Sequence, residues 1–220
     1  MANNFIVYAG IDNYDIILYQ AGILAKLGKK VLVLDNSDTH ALSFSFPDPR
    51  GMDVSLTPIY YRNIHMGSMP FDSSCLSMYD DVLLAIGHSK DIDPVEECTR
   101  MVYVTDHKLH NTRQVKNLIS MHQGKEKVSM LMRDLYGIKI TPEYLSDMVA
   151  DLIPPDKIDL IYHMEQDSEN ALLCQYNKSY GFTGISSDMK HYLLKMTGSF
   201  YPDINSRVII NAYRAARKGE

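Results

Sequence analysis

The residues best placed to do chemistry meet first at one junction. An apolar run, Phe5-Ile-Val-Tyr-Ala-Gly10, passes through Ile11, Asp12, Asn13, Tyr14 and Asp15 into a helical pattern. A turn between a buried strand and a helix N-terminus exposes unpaired N–H groups, and it becomes an anion site when glycines and a lysine are added. This turn has one glycine and two carboxylates, and no lysine or arginine precedes Lys26. A helix N-terminus carries about half a positive charge, so Asp12 or Asp15 can cap it from within and occupy the field an external anion would use. Asp12 and Asn13 also suit ordinary turn and capping duties, and Gly10 suits a tight turn.

Other candidates are weaker. Asp35 ends the apolar run Val31-Leu-Val-Leu, with Ser37 and Asp38 just beyond. Such an acid is either a solvated loop residue or a functional group. His107-x-x-His110, beside Asp106, has the spacing of one helical face and could start a metal site. It lacks a nearby third ligand, so a structural or solvated role is favoured and no metal is expected. His65, His88 and His163 fall at strand ends or loops and read as satisfied polar residues. Gly87-His88-Ser89 lacks the second glycine of a nucleophile elbow. Cys75, Cys98 and Cys174 show neither metal spacing nor an even count; they suit a reducing compartment and small core positions. No catalytic residue emerges.

The elements that would position these residues alternate regularly. Strands are expected at Phe5–Gly10, Lys30–Asp35, Ile59–Ile64, Asp81–Ile86, Met101–Thr105, Lys127–Arg133 and Ile158–Tyr162, with helical patterns between most of them. That is an α/β chain with a mostly parallel sheet of about seven strands, covered on both faces. The first helix should run from about Asn13 to Leu27. Thr141-Pro142-Glu143 is a strong helix start, leading to a helix through Ala150, and Ser186 and Asn205 open two more. The 220 residues are expected to form one domain, residues 1–220.

Charge and hydropathy exclude several classes. With 22 basic and 27 acidic residues, net charge is -5, and no nucleic-acid partner is expected. Ile16 to Ala25 is the longest uncharged helical stretch, too short to span a bilayer. The opening Met-Ala-Asn-Asn lacks a signal peptide's basic flank, so cytoplasmic placement is the expectation. Fifteen tyrosines and thirteen methionines without a tryptophan draw attention to Tyr60, Tyr61, Met66, Met69, Phe71 and Met78. These crowd one region and form a candidate partner face, although core packing accounts for most of them equally well.

The ordered set Gly28-Lys-Lys-Val-Leu-Val-Leu-Asp35, Tyr79-Asp-Asp-Val-Leu-Leu-Ala85, Thr99-Arg-Met-Val-Tyr-Val-Thr105 and Arg113-Gln-Val-Lys-Asn-Leu-Ile119 resembles the MinD/ParA/CpaE(TadZ) branch of the P-loop ATPases. The resemblance covers most of the chain and implies a three-layer α/β/α fold. It also implies a nucleotide pocket at Gly10, Asp12, Asn13, Tyr14, Asp35, Ser37, Ala85 and Arg133. The departures fall on that pocket. The family's K-G-G-x-G-K-T-T loop is replaced by Ala9-Gly10-Ile11-Asp12-Asn13-Tyr14-Asp15. Ala85 stands where the resemblance places a Walker B aspartate, Ser37 where it places a water-orienting aspartate, and Arg133 where it tends to place an adenine-contacting asparagine.

The resemblance therefore implies a degenerate ATPase with no cofactor, acting through protein contacts. The arrangements it leaves open are a homodimer, a heterodimer with an active MinD-like ATPase, and a monomeric adaptor. A role as scaffold or positioning factor, as in Tad/Flp-type pilus or secretion machines, follows most naturally. A divergent ATPase using Asp35 or Asp38 for metal is the alternative. A third is a peripheral membrane module, membrane-apposed through the basic, apolar segment Arg207–Lys218.

Overall fold

The computed structural model describes residues 4–47, 58–68, 76–89, 98–122 and 127–219. Met69 and Phe71 of the candidate partner face lie outside the described residues. Among the described residues there are eight strands: β1 (Asn4–Gly10), β2 (Val31–Asp35), β3 (Ile59–Tyr61), β4 (Ile64–Ser68), β5 (Asp81–Gly87), β6 (Arg100–Thr105), β7 (Val128–Leu135) and β8 (Ile158–Tyr162). Among the described residues the principal helices are α1 (Tyr14–Lys26), α2 (Leu109–Met121), α3 (Pro142–Asp147), α4 (Glu165–Tyr176), α5 (Ser187–Phe200) and α6 (Ser206–Ala216).

The strands form one sheet in the order β3-β4-β2-β5-β1-β6-β7-β8, parallel throughout except for β3. Alternation decides the layers. Along β1, Ile6 and Tyr8 enter one core while Phe5, Val7 and Ala9 enter the other, as period-two side chains must. The first core packs against α1, α5 and α6, with Cys174 of α4 also inside it. The second packs against Val115, Leu118 and Ile119 of α2 and Leu145 of α3. The result is a three-layer α/β/α sandwich.

The sheet has eight strands rather than seven because Ile59–Ile64 is a hairpin. Arg62 and Asn63 both take positive φ, 50° and 64°, which folds the chain through a two-residue turn and sets β3 antiparallel to β4. An Arg-Asn pair is a weak turn signal compared with Asn-Gly, so the run reads as one strand. α3 also stops at Asp147 instead of Ala150. The chain tightens there through Val149 N–H to Ser146 O and Leu152 N–H to Val149 O, the bonds of a 3₁₀ turn.

α1 is buried on nearly every side, from Asp15 through Leu24 except Gly22. A helix so enclosed needs cover on its outer side. α6 supplies part of it, with Ile209, Ala212, Tyr213 and Ala216 buried. α5 supplies another part, where Gln20 Nε2 donates to Thr197 Oγ1 at 2.8 Å. The helix starts behave as their sequences require. Thr141 Oγ1 accepts from Tyr144 N–H, Ser186 Oγ from Met189 N–H and Asn205 Oδ1 from Arg207 N–H. Among the described residues no helix is long and apolar enough to cross a membrane.

Candidate functional site at the carboxyl ends of the strands

In an open α/β sheet the natural binding crevice lies outside the carboxyl ends of the strands, where the strand order changes direction. Here β1 sits between β5 and β6, so the crevice begins at Gly10. That glycine is fixed by its surroundings. Its φ is +116°, and a Cβ would stand 2.0 Å from the carbonyl oxygen of Val104. The next residue, Ile11, donates its N–H to the same oxygen at 3.1 Å. The turn is thereby clamped to β6.

Neither acid of the turn caps α1, contrary to the sequence expectation. The N-cap is Asn13, and its side chain makes no capping bond. Asp12 instead accepts from Thr39 Oγ1 at 2.6 Å. Asp15 turns toward β7, where Arg133 Nη1 and Nη2 donate to its two oxygens at 2.6 and 2.9 Å. Only 1 % of the Asp15 side chain and 8 % of the Arg133 side chain are exposed. Arg133 Nε donates to Asp134 Oδ2 at 3.0 Å. Burial alone would lower the Arg133 pKa, but the charge and hydrogen bonds of Asp15, with those of Asp134, raise it instead. The guanidinium is held permanently charged. Tyr14, next to this pair, is pushed up to about 12 by burial, with the Asp15 charge adding to the effect.

Asp35 is fully engaged as well. Its Oδ1 accepts from Ser37 N–H at 3.0 Å and Ser37 Oγ at 2.6 Å, and its Oδ2 from Ser43 N–H at 2.8 Å and Ser43 Oγ at 2.9 Å. It is a buried loop clamp, not a solvated acid. Ala85 pairs with Asp35 across β5 and β2 and with Tyr8 of β1. Between these residues the free space bounded by Ile11, Asp12, Asn13, Tyr14, Ser37 and Ala85 is about 10 Å³, enough for about one water. The buried Asn13 Nδ2 that faces this region has no hydrogen-bond partner.

The structure thus brings Gly10, Asp12, Asn13, Tyr14, Asp35, Ser37 and Ala85 to one end of the sheet, with Arg133 joined to them through Asp15. It treats the histidines differently. His107 Nδ1 accepts from Tyr136 N–H at 3.1 Å, which leaves the Nε2 proton to donate to Ile140 O at 3.0 Å. Asp106 Oδ1 accepts from Lys108 N–H and from Asn111 Nδ2. Among the described residues no group of three or more His, Cys, Asp or Glu side chains could hold a metal ion.

The expected partner face divides. Met66 is wholly buried and receives the Tyr180 hydroxyl on its sulfur at 3.4 Å, so it belongs to the core. Tyr61 is half-buried and donates to Lys178 O at 3.2 Å, while Tyr60 is exposed. A second apolar surface is not marked by any regular pattern in the sequence. Tyr136, Ile138, Ile140, Tyr144, Tyr162 and Met164 are all exposed, at or after the carboxyl ends of β7 and β8. Tyr136 stacks on His163 with ring centroids 4.8 Å apart. The available signal was the run Tyr136-Gly-Ile-Lys-Ile140, apolar residues with no helix or strand to bury them.

At the level of sequence, no protein-family model and no curated protein matches the chain. Solved structures do match in fold. The MinC:MinD cell division protein complex of Aquifex aeolicus superposes with a TM-score of 0.61 at 14 % identity, covering 96 % of this chain and 94 % of that one. MinD complexed with Mg-ADP from Pyrococcus horikoshii gives 0.57 at 12 % identity, over 98 % and 96 %. A ParA family ATPase from Chlorobium tepidum gives 0.53 at 14 % identity, over 97 % and 99 %. The chain has the MinD/ParA fold. In this chain the turn after β1 is clamped by Val104 and flanked by the Asp15–Arg133 pair.

Proposed function

We propose that this chain is a non-catalytic member of the MinD/ParA fold, a pseudo-ATPase that acts as a scaffold or positioning factor through protein contacts. The Asp15–Arg133 ion pair is the observation that carries this reading. A phosphate-binding turn needs N–H groups and cations directed at an incoming anion. Here a carboxylate stands in the first turn of α1, and a nearby guanidinium is already satisfied by it. About 10 Å³ of space compares with the roughly 300–1,000 Å³ of ordinary small-molecule pockets. A triphosphate entering this turn would meet the Asp15 carboxylate and a guanidinium already engaged by it, an arrangement that disfavours an anion.

The exposed apolar end of β7 and β8 supports the binding half of the proposal. Tyrosine and methionine supply contact area that water otherwise covers, and such patches on soluble proteins mark interaction sites. The partner is a protein, either a second copy of this chain or an active MinD-like ATPase, and a Tad/Flp-type pilus or secretion assembly is the setting the sequence resemblance points to. Thermal unfolding with Mg-ATP and Mg-ADP tests the first half. A ligand at about one hundred times its Kd stabilises by roughly 2.7 kcal/mol, and the expectation is no shift. A clear rise in Tm with Mg-ATP that disappears on substituting Asn13 would overturn the reading. Affinity capture from the native host with Tyr144→Ser as comparator tests the second half.

A further inference from the structure

A cation-lined cavity lies at the other end of the strands, away from the Gly10 turn. It opens at the amino ends of β6, β7 and β8, under the carboxyl half of α5, and encloses about 290 Å³. Four cations line it, Arg100, Lys127, Lys157 and Lys195, against two carboxylates, Asp156 and Asp159. The chain as a whole carries a net charge of -5. Among the described lining residues there is an excess of two positive charges, which on an acidic protein calls for a structural explanation or a ligand.

The structural explanation covers one cation only. Lys195 Nζ pairs with Asp159 Oδ1 at 2.5 Å. Among the described residues Arg100, Lys127 and Lys157 form no ion pair. Arg100 is the most telling of the three. It is half-buried, and its Nη2 reaches only the carbonyl oxygen of Ser199 at 3.3 Å, with the Phe200 ring 5.1 Å from the guanidinium carbon. Burial pulls its pKa down; the groups that offset this are the tyrosines Tyr8 and Tyr192, and no carboxylate contributes. A guanidinium partly removed from water without an acid partner is costly. Ser129 also lines the cavity, and its buried Oγ has no hydrogen-bond partner. Val128 and Met196 add apolar wall.

We propose that this cavity binds a small phosphate monoester, with Arg100, Lys127 and Lys157 holding the phosphate group. A phosphate monoester carries about -1.5 to -2 charges at neutral pH, which matches the excess of two. The planar fork of arginine grips phosphate oxygens in pairs, while lysines act as point charges around them. A hydroxyl donor and apolar wall accommodate the ester's organic part. The volume suits a compact metabolite rather than a dinucleotide. The cavity is separate from the Gly10 turn, because it opens at the amino ends of β6, β7 and β8, whereas that turn lies at the carboxyl end of β1.

Calorimetric titration of the full chain with glycerol 3-phosphate, inorganic phosphate and succinate tests the proposal. The expected result is saturable binding of glycerol 3-phosphate, weaker binding of inorganic phosphate and no measurable binding of the dicarboxylate. Arg100→Gln should weaken the ester by about tenfold or more, as expected for a lost charged hydrogen bond. Because Arg100 also packs on Phe200, the exposed Lys157→Glu provides a second variant, with folding checked by circular dichroism; it too should weaken binding by about tenfold. Equal binding of succinate would overturn the phosphate assignment. Inorganic phosphate binding as tightly as the ester would overturn the monoester class. Absence of binding at millimolar ester, or binding unchanged in both variants, would overturn the site.

Discussion

Arg133 closes its guanidinium fork on the Asp15 carboxylate at 2.6 and 2.9 Å, joining β7 to the first turn of α1 across 118 residues of sequence. Both side chains are almost completely removed from solvent. Removing one partner of such a pair strands a buried charge and costs about 3–5 kcal/mol. Arg133→Met should therefore unfold at a markedly lower urea midpoint. Arg133→Met with Asp15→Leu should recover a large part of the loss, since two apolar groups need no desolvated partner. A double-mutant cycle in urea measures both, and additive losses would refute the coupling.

Asp35 predicts a separate loss. Four donors converge on its two oxygens, and hydrogen bonds to a charged group contribute about 1.5–3 kcal/mol each before non-additivity. Asp35→Ala should cost about 3 kcal/mol or more and loosen the segment from Ser37 to Ser43. Amide exchange in that segment is the direct readout.

Gly10 is constrained by contact as well as by φ. Gly10→Ala would place a methyl group 2.0 Å from Val104 O, so β1 or β6 must move. The expected destabilisation exceeds about 1 kcal/mol, or a fall in Tm of at least about 2–4 °C for a chain of this size. Gly28→Ala, whose Cβ meets nothing within 4 Å, should cost less despite its positive φ.

Two histidines set a pH response. Burial lowers the pKa of His65 and of His88 from 6.5. In the window between the folded and unfolded values the unfolded chain binds more protons, so stability rises with pH there. The contribution of each is present above about pH 6.5 and is lost as pH falls through the folded value. Unfolding midpoints should decline from neutral pH toward mildly acidic pH. The decline should be shallower in His65→Gln with His88→Gln.

The apolar end of the sheet predicts the opposite pattern, a functional loss without a stability loss. Ile138→Ser and Tyr144→Ser alter exposed side chains and should change stability by no more than about 0.5 kcal/mol. Association with the captured partner should drop sharply in both. Retained association would move the partner surface elsewhere, with exposed Tyr60 the next position to substitute.

Much of the fold was written in periodicity. Ile158–Tyr162 agrees with the expected strand residue for residue, and five others agree to within two residues at either end, because buried parallel strands are uninterrupted apolar runs bounded by turn residues. The hairpin at Arg62-Asn63 was hidden because its positive φ angles are carried by a residue pair with little turn preference. Met66 and Tyr60 show another limit: both are large and apolar in part, and composition does not distinguish the one that is buried from the one that is not.

The sequence by itself determined that a strand-turn-helix unit would form at Phe5–Leu27, because an apolar run, a glycine turn and a helical apolar pattern follow one another there. It determined the parallel sheet and its two covered faces for the same local reason, the spacing of apolar side chains. Only the tertiary structure decided what became of the acids. Whether Asp15 caps a helix or meets Arg133 depends on where the fold places the end of β7 relative to the first turn of α1. Whether Asp35 faces water or four donors depends on where the loop to Ser43 returns. These are contacts between distant segments, governed by burial and pairing rather than by any property of the carboxylate itself.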